Sequence, residues 1–476
     1  MRDAASWIIE ETKTADFGDK RLNKRYGDLL NSLTDAPNES IPRACRSWKE
    51  TIAAYRFFNH ENITSTEILA PHRKATLDRI KNEKIVLIPQ DTTKIDFTGR
   101  KPIVGMGYLS KENSHGFYLH PSLAITPERL CLGVVDMQTW TRDKLGTRSQ
   151  RKGKPIEEKE SYCWLKGYEA ANAAALSAPN TIVVSIADRE GDIYELLEKT
   201  PSETNKAYWL IRSRNTRNIL NQAGEEQELQ LWETVNASKP VGEIEFKLPS
   251  GKIYSRGIID DRQPREERIV RQEIRACTVY LRPPSRKGKK LAPIAINIVH
   301  CKEINAPSDE EKIEWFLLTS FPVNNAETAM EIVKWYLCRW QIELFFKILK
   351  SGCLVEELQF DTLKATANCI SLYLIVAWRI LYLTMLGRNC PDMECSIVFE
   401  PSEWQSVYAI ITKKPPPLNP PKLNEIILMI AKLGGFLGRK ADGHPGFKVM
   451  WIGMQRMRDF ALAWETFHSL GDQSYV

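Results

Sequence analysis

Two short apolar runs constrain this chain most: KIVLIPQD at 84–91 and TIVVSIAD at 181–188, each stopping on an aspartate. Aliphatic runs that do not alternate with polar residues suit strands covered on both faces, so helices have to pack above and below the sheet. Between and after these runs the pattern changes regularly. GFYLHPSLAIT and RLCLGVVDMQTWT, joined by a turn-like Pro-Glu, predict two further strands in antiparallel order. EEKESYCWLKGYEAANAAALS predicts a helix of about 20 residues, and GDIYELLEKT, after the second acidic run, another. The order is βββαβα.

That order is the core of a ribonuclease H-like fold, an α/β architecture with a mixed sheet flanked by helices. Its first and fourth strands are neighbours, which sets Asp91 and Asp188 side by side. Residues 205–320 then alternate as strands, in AYWLIRSR, GEIEFKL, KIYSRGII, VRQEIRACTVYL, IAINIVHC and IEWFLLTS. They predict a β-rich insertion at about 217–312, with the core resuming near Trp315. Residues 1–70 have helical spacing, with turns at DAPNES and NHENIT, and residues 356–476 are helical again around a proline-rich spacer, ITKKPPPLNPPKL. The expected organisation is therefore a helical unit at 1–70, a catalytic core at 71–355 and a helical C-terminal region at 356–476 suited to dimer contacts.

The stretch YLCRWQIELFFKILK carries a third acid among cations. Tyr336, Arg339, Glu343 and Lys350 follow Y-x2-R-x3-E-x6-K. At about 100° per residue they fall near 0°, 300°, 340° and 320°, on one helical stripe roughly 60° wide. An acid with two cations and a phenol on one face can hold a metal ion and a phosphate together. Asn324 with Glu327 predicts the cap that starts this helix. Trp340 reads as core.

Composition narrows the function. Lys and Arg total 66 against 60 Asp and Glu, a net charge of only +6, so basic residues matter where they cluster: RLNKR at 21–25, RSRNTR at 212–217 and SRKGKK at 285–290. Such patches on a near-neutral chain suit an enzyme that holds nucleic acid along chosen tracks, although solvated loops look the same. The ten cysteines include no C-x2-C pair and lie in apolar contexts, which predicts reduced thiols in a cytoplasmic protein. CISLYLIVAWRILYLTML at 369–386 carries Arg379 at its middle and predicts a buried helix, with no membrane partner.

The signature spacing and the two upstream aspartates resemble bacterial insertion-sequence transposases with an Asp-Asp-Glu triad, the branch that includes the transposase of transposon five. The resemblance runs from GDKRLNKR and AAYRFFNH, through EWFLLTSFPV, to KLGGFL near residue 435. It implies cut-and-paste DNA transposition in the bacterial cytoplasm, at the nucleoid. Asp91, Asp188 and Glu343 become catalytic ligands of two Mg²⁺ ions, with Mn²⁺ as substitute. Tyr336, Arg339 and Lys350 become grips on phosphates near the scissile bond, with Lys347 one turn past Glu343. Trp315 matches the platform on which a flipped base stacks, although a tryptophan in a strand is ordinarily core. Arg212, Arg214 and Arg217 match a DNA-contacting group. Arg189 either orients the site or forms a surface ion pair. Arg21 and Arg25 are expected to hold the element's ends, with ordinary surface charge on a helical cap as the alternative. The implied partners are double-stranded DNA, as terminal inverted repeats and as target, and a second copy of the chain. A catalytically silent DNA-binding derivative and a nuclease without strand transfer are the rival readings.

Overall fold

The computed structural model describes all residues except 1–5, 110–112, 144–153, 222, 249–250, 256–257, 286–290, 309, 311, 440–441 and 474–476. The SRKGKK run therefore lies, beyond its serine, outside the described residues. The strands in chain order are β1 (Ile85–Pro89), β2 (Thr93–Asp96), β3 (Gly107–Tyr108), β4 (His115–Ile125), β5 (Cys131–Trp140), β6 (Ile182–Ala187), β7 (Tyr208–Arg212), β8 (Ile219–Leu220), β9 (Pro240–Leu248), β10 (Gly251–Ser255), β11 (Ile258–Arg265), β12 (Arg268–Leu281), β13 (Ile294–Glu303) and β14 (Glu314–Thr319). The fold is mixed α/β, a ribonuclease H-like core with helical N- and C-terminal regions. Contacts divide the chain into a sheet unit, Lys84–Asp91 with Gly146–Trp340, and a helical unit, Met1–Glu83 with Thr92–Leu145 and Gln341–Val476.

In the sheet unit β1, β6 and β7 run parallel, and β14, β13 and β12 extend them in antiparallel order. Val86, Leu87 and Ile88 of β1 and Val183, Val184 and Ile186 of β6 are fully buried, as their uninterrupted aliphatic pattern requires. Tyr162–Ser177 is the helix before β6, and it packs on that strand. The expected insertion contains β8 to β13, together with a short helix, Leu231–Ala237, that its alternation concealed.

In the helical unit β4 pairs antiparallel with β2, β3 and β5. The N-terminal helices are set by local caps. Asp19 accepts from the Arg21 N–H to start Lys20–Asp35, Ser47 caps Trp48–Asn59, and Thr64 with Glu67 forms a capping box for Ser65–Ile80. Tyr26, Leu30, Leu33, Phe57 and Phe58 fill the space between them. Leu363–Asn389, 27 residues long, is apolar enough to cross a membrane by composition, but its most apolar window is 94% buried within the protein. Arg379 at its centre lies 4.9 Å from the Trp7 ring and donates to the Val398 carbonyl at 3.1 Å. Burial lowers its pKa to about 10, so the guanidinium stays charged at neutral pH.

Candidate active site

The first two acids stand at matched positions. Pro89 of β1 pairs with Ile186 of β6 in parallel register, and Asp91 and Asp188 each follow two residues later. Ala187 pairs with Ile211, so Arg212 leaves the third parallel strand at the level of Asp188. The carboxyl ends of β1, β6 and β7 thus carry two acids and one guanidinium side by side.

Buried polar contacts fix these strand ends. Gln90, fully buried, donates through Nε2 to Ser185 Oγ at 3.0 Å and to the Trp164 carbonyl at 3.3 Å, while its N–H donates to the Ile186 carbonyl. A Cβ at Gly167, one helical turn past Trp164, would lie 1.9 Å from Gln90 Oε1, so no other residue leaves that amide in place. After Asp188 the chain turns in a 3-10 helix, Arg189–Gly191, which Asp188 caps by accepting from the Glu190 N–H at 2.7 Å. Gly191 is required there, because its Cβ would sit 2.5 Å from that of Ala187.

The helix Ala326–Cys338 brings the signature's first half to this edge. Asn325, not Asn324, is its cap, and Thr328 in place of Glu327 returns the bond. Tyr336 is 6% exposed. Burial raises its pKa, against the pull of Arg339 and Arg212, so the phenol remains a neutral donor. Arg212 bonds the Tyr336 hydroxyl, and burial weakens its own hold on its proton. Arg339 Nη1 lies 3.2 Å from Asp91 Oδ2, with its guanidinium 5.9 Å from the Tyr336 ring. Trp315 at the start of β14 is half-buried. It stacks on Phe246 at 5.8 Å and meets Tyr336 edge-on at 5.5 Å.

The expected single helix through Lys350 is not formed. The helix ends at Cys338 with Arg339 as its cap, a new one spans Gln341–Lys347, and a π-helical turn follows at Ile348–Gly352. The 100° spacing of the four signature residues therefore does not hold throughout, because the interruption and the wider π turn change the angle per residue. Trp340 in the interruption is 56% exposed, not core.

Glu343 and Lys347 belong to the helical unit, Glu343 half-buried and Lys347 exposed on Gln341–Lys347. In the same unit Lys350 is 3.3 Å from Glu356 and donates to the Lys94 carbonyl, so its ammonium is engaged with protein groups.

The arginines after β7 divide. Arg217 pairs with Asp192, whose side chain is fully buried and also accepts from the Arg214 N–H at 2.8 Å. The Arg214 side chain is exposed, as is that of Arg189. Asp192 was not anticipated from the sequence. Its signal was a second aspartate four residues past the strand-end one, in DREGD. In the N-terminal helices Arg21 is 91% exposed beside Asp19, whereas Arg25 is half-buried against Glu50.

Asp91 and Asp188 offer the oxygen donors that a hard divalent cation prefers, and the Arg339 guanidinium at Asp91 marks a place that attracts positive charge. Among the described residues there is no group of three or more acid, histidine or cysteine side chains that could hold a metal ion. Asp91 has its counter-charge in Arg339, and Asp188 accepts from the Glu190 N–H.

Residues 4–63 match a family model described as Transposase DNA-binding, residues 171–378 the Transposase DDE domain, and residues 375–469 the Transposase Tn5 dimerisation domain. Among solved structures, the chain matches the cryo-EM structure of a piggyBac transposase synaptic complex with hairpin DNA. The identity is 11% and the TM-score 0.33, over 80% of this chain and 72% of that one, a likeness too distant to carry weight. A DNA-binding module, a DDE domain and a Tn5-type dimerisation module, in that order, identify this chain as a member of the DDE transposases that resemble the Tn5 transposase, enzymes of phosphoryl transfer on DNA.

Proposed function

We propose that the protein frees its element by divalent-metal-dependent hydrolysis at both ends, passes through a hairpin intermediate, and joins the freed ends to target DNA. The observation that chiefly supports this is the matched placement of Asp91 and Asp188 on adjacent parallel strands, with Arg339, Tyr336 and Arg212 beside them. Glu343 is the proposed third acid. Together the three are the proposed ligands for two Mg²⁺ ions, with Mn²⁺ as substitute, and such ions when bound stabilise the attacking and leaving oxygens of an in-line displacement.

The protein's own groups bind and orient. Arg339 and Arg212 present forked donors for phosphate oxygens, and the neutral Tyr336 hydroxyl adds a third donor. Lys347, Lys350, Arg189 and Arg214 are further proposed phosphate contacts. Arg217 pairs with Asp192, which also fixes the backbone at Arg214. Trp315 is the proposed platform for an extruded base. The N-terminal module, with Arg21 and Arg25, is proposed to read the terminal inverted repeats. The dimerisation module is proposed to join two copies that synapse two ends. The site of action is proposed to be the nucleoid of a bacterial cytoplasm, with which ten free thiols agree.

A duplex bearing the element's own end, incubated with Mg²⁺ and resolved on a denaturing gel, tests the reading. Nicked, hairpin and joined products are expected. Asp188→Ala and Glu343→Ala should each abolish all three while retaining binding. Nicking without hairpin or joining would reduce the protein to a nuclease, and binding without any cutting to a silent DNA-binding protein.

A further inference from the structure

Trp48 is the most exposed tryptophan among the described residues, at 78%. A single exposed apolar side chain needs no explanation by itself. The backbone that carries this one is fixed by local caps. It opens the twelve-residue helix Trp48–Asn59, directly after a Ser47 cap that accepts from the Glu50 N–H at 3.2 Å. Before it, Arg46 closes the helix Ile41–Cys45 in the left-handed region at φ 58°, with its N–H bonded to the carbonyls of Pro42 and Arg43. The indole therefore stands on a turn between two capped helices, with little backbone freedom to lose on binding.

The exposed charge of the turn itself is positive. Arg43, Arg46 and Lys49 are all exposed; Arg43 has a surface ion pair with Glu39 at 3.1 Å to give up and Arg46 a 3.7 Å contact with Asp459, pairs that cost little to break at the surface. The one acid in the turn, Glu50, is neutralised by Arg25. That contact gives Arg25 a further role: it offsets the charge that would repel a phosphate. Cations bracketing an accessible indole are the composition that nucleic acids select, since the cations meet phosphates while the ring packs on bases or sugars.

We infer that Arg46-Ser47-Trp48-Lys49, with Arg43, is a DNA-contacting turn in which Trp48 wedges against the base and sugar edges of a groove. The inference deepens the reading of residues 4–63 as a DNA-binding module and rests on it. Apolar wedges of this kind unstack a step and bend the duplex.

Fluorescence anisotropy of a labelled duplex carrying the element's end, titrated with the full chain over a salt series, tests this. Trp48→Ala should raise Kd roughly tenfold without changing the salt slope, and Trp48→Phe should keep most of the affinity. Lys49→Ala should flatten the slope by about one. Unchanged thermal unfolding is expected for Trp48→Ala, because the side chain supports no core. Wild-type affinity in Trp48→Ala would overturn the inference. So would a loss of affinity that sedimentation traces entirely to a lost dimer. If the wild-type chain binds no duplex at all, the wider reading falls with it; wild-type binding alongside an unaltered Trp48→Ala overturns the turn alone.

Discussion

Arg339 and Lys350 are two cations of one signature, held in unlike ways. Arg339 is tucked against a carboxylate at the end of a central strand and beside a buried phenol. Lys350 sits on a π turn and spends its charge on Glu356 and the Lys94 carbonyl. Regular spacing in a sequence thus does not guarantee equal environments. The guanidinium shapes a carboxylate that chemistry can use, while the ammonium, in this state, ties down the chain around β2. The arginines after β7 repeat the lesson: Arg217 is clamped by a buried acid, and Arg214 presents only its backbone to that same acid.

The largest effect that would sharpen this contrast lies at Asp192. Asp192→Ala leaves the Arg217 guanidinium without its buried partner and should cost about 3 kcal/mol of stability in denaturant unfolding. Arg214→Ala should stay within about 0.5 kcal/mol. Equal costs would erase the distinction between them. Next comes Arg339→Lys, which keeps the charge but loses the planar fork. Single-turnover nicking should slow by about ten- to a hundredfold; full activity would make Arg339 a mere counter-ion. Smaller still, a double-mutant cycle of Lys350→Ala and Glu356→Gln should show coupling below about 1 kcal/mol, because both side chains are partly exposed. Stronger coupling would move Lys350 into the structural class outright.

The last effect vanishes at neutral pH. His120 is buried and bonded to Thr92 at 2.8 Å, and burial depresses its pKa to about 3. The unfolded chain takes up a proton below about pH 6.5 while the native one does not, so stability falls as pH drops from there towards 3. His120→Gln should flatten that slope in unfolding measured between pH 7 and 4; an unchanged slope would assign it to other groups.

Much of the sheet was legible because burial on both faces leaves an unmistakable aliphatic run. β1 and β6, with an acid just past each, follow from it directly. The interruption at Arg339 and Trp340 was not legible, since neither residue breaks helices and the stretch keeps its periodicity. Nor was the exposure of Trp340, because a helical pattern does not say which neighbour is missing. The cap slipped by one residue, because Asn324 and Asn325 both qualify and only the reach of the Thr328 hydroxyl decides. Gln90 with Gly167, and Asp192 with Arg217, are pairings between remote segments, and no local propensity encodes them.

The match to the DDE domain ends at residue 378, and the match to the dimerisation module begins at 375. That seam lies within the single buried helix Leu363–Asn389. A chain shortened there would bare the wall of apolar side chains that now closes the helical unit, and neither fragment would keep a sealed interior. Loss of the pairing module is thus inseparable from damage to its neighbour. A truncated product of this gene is expected to be an aggregating or quickly degraded polypeptide, not a free-standing antagonist.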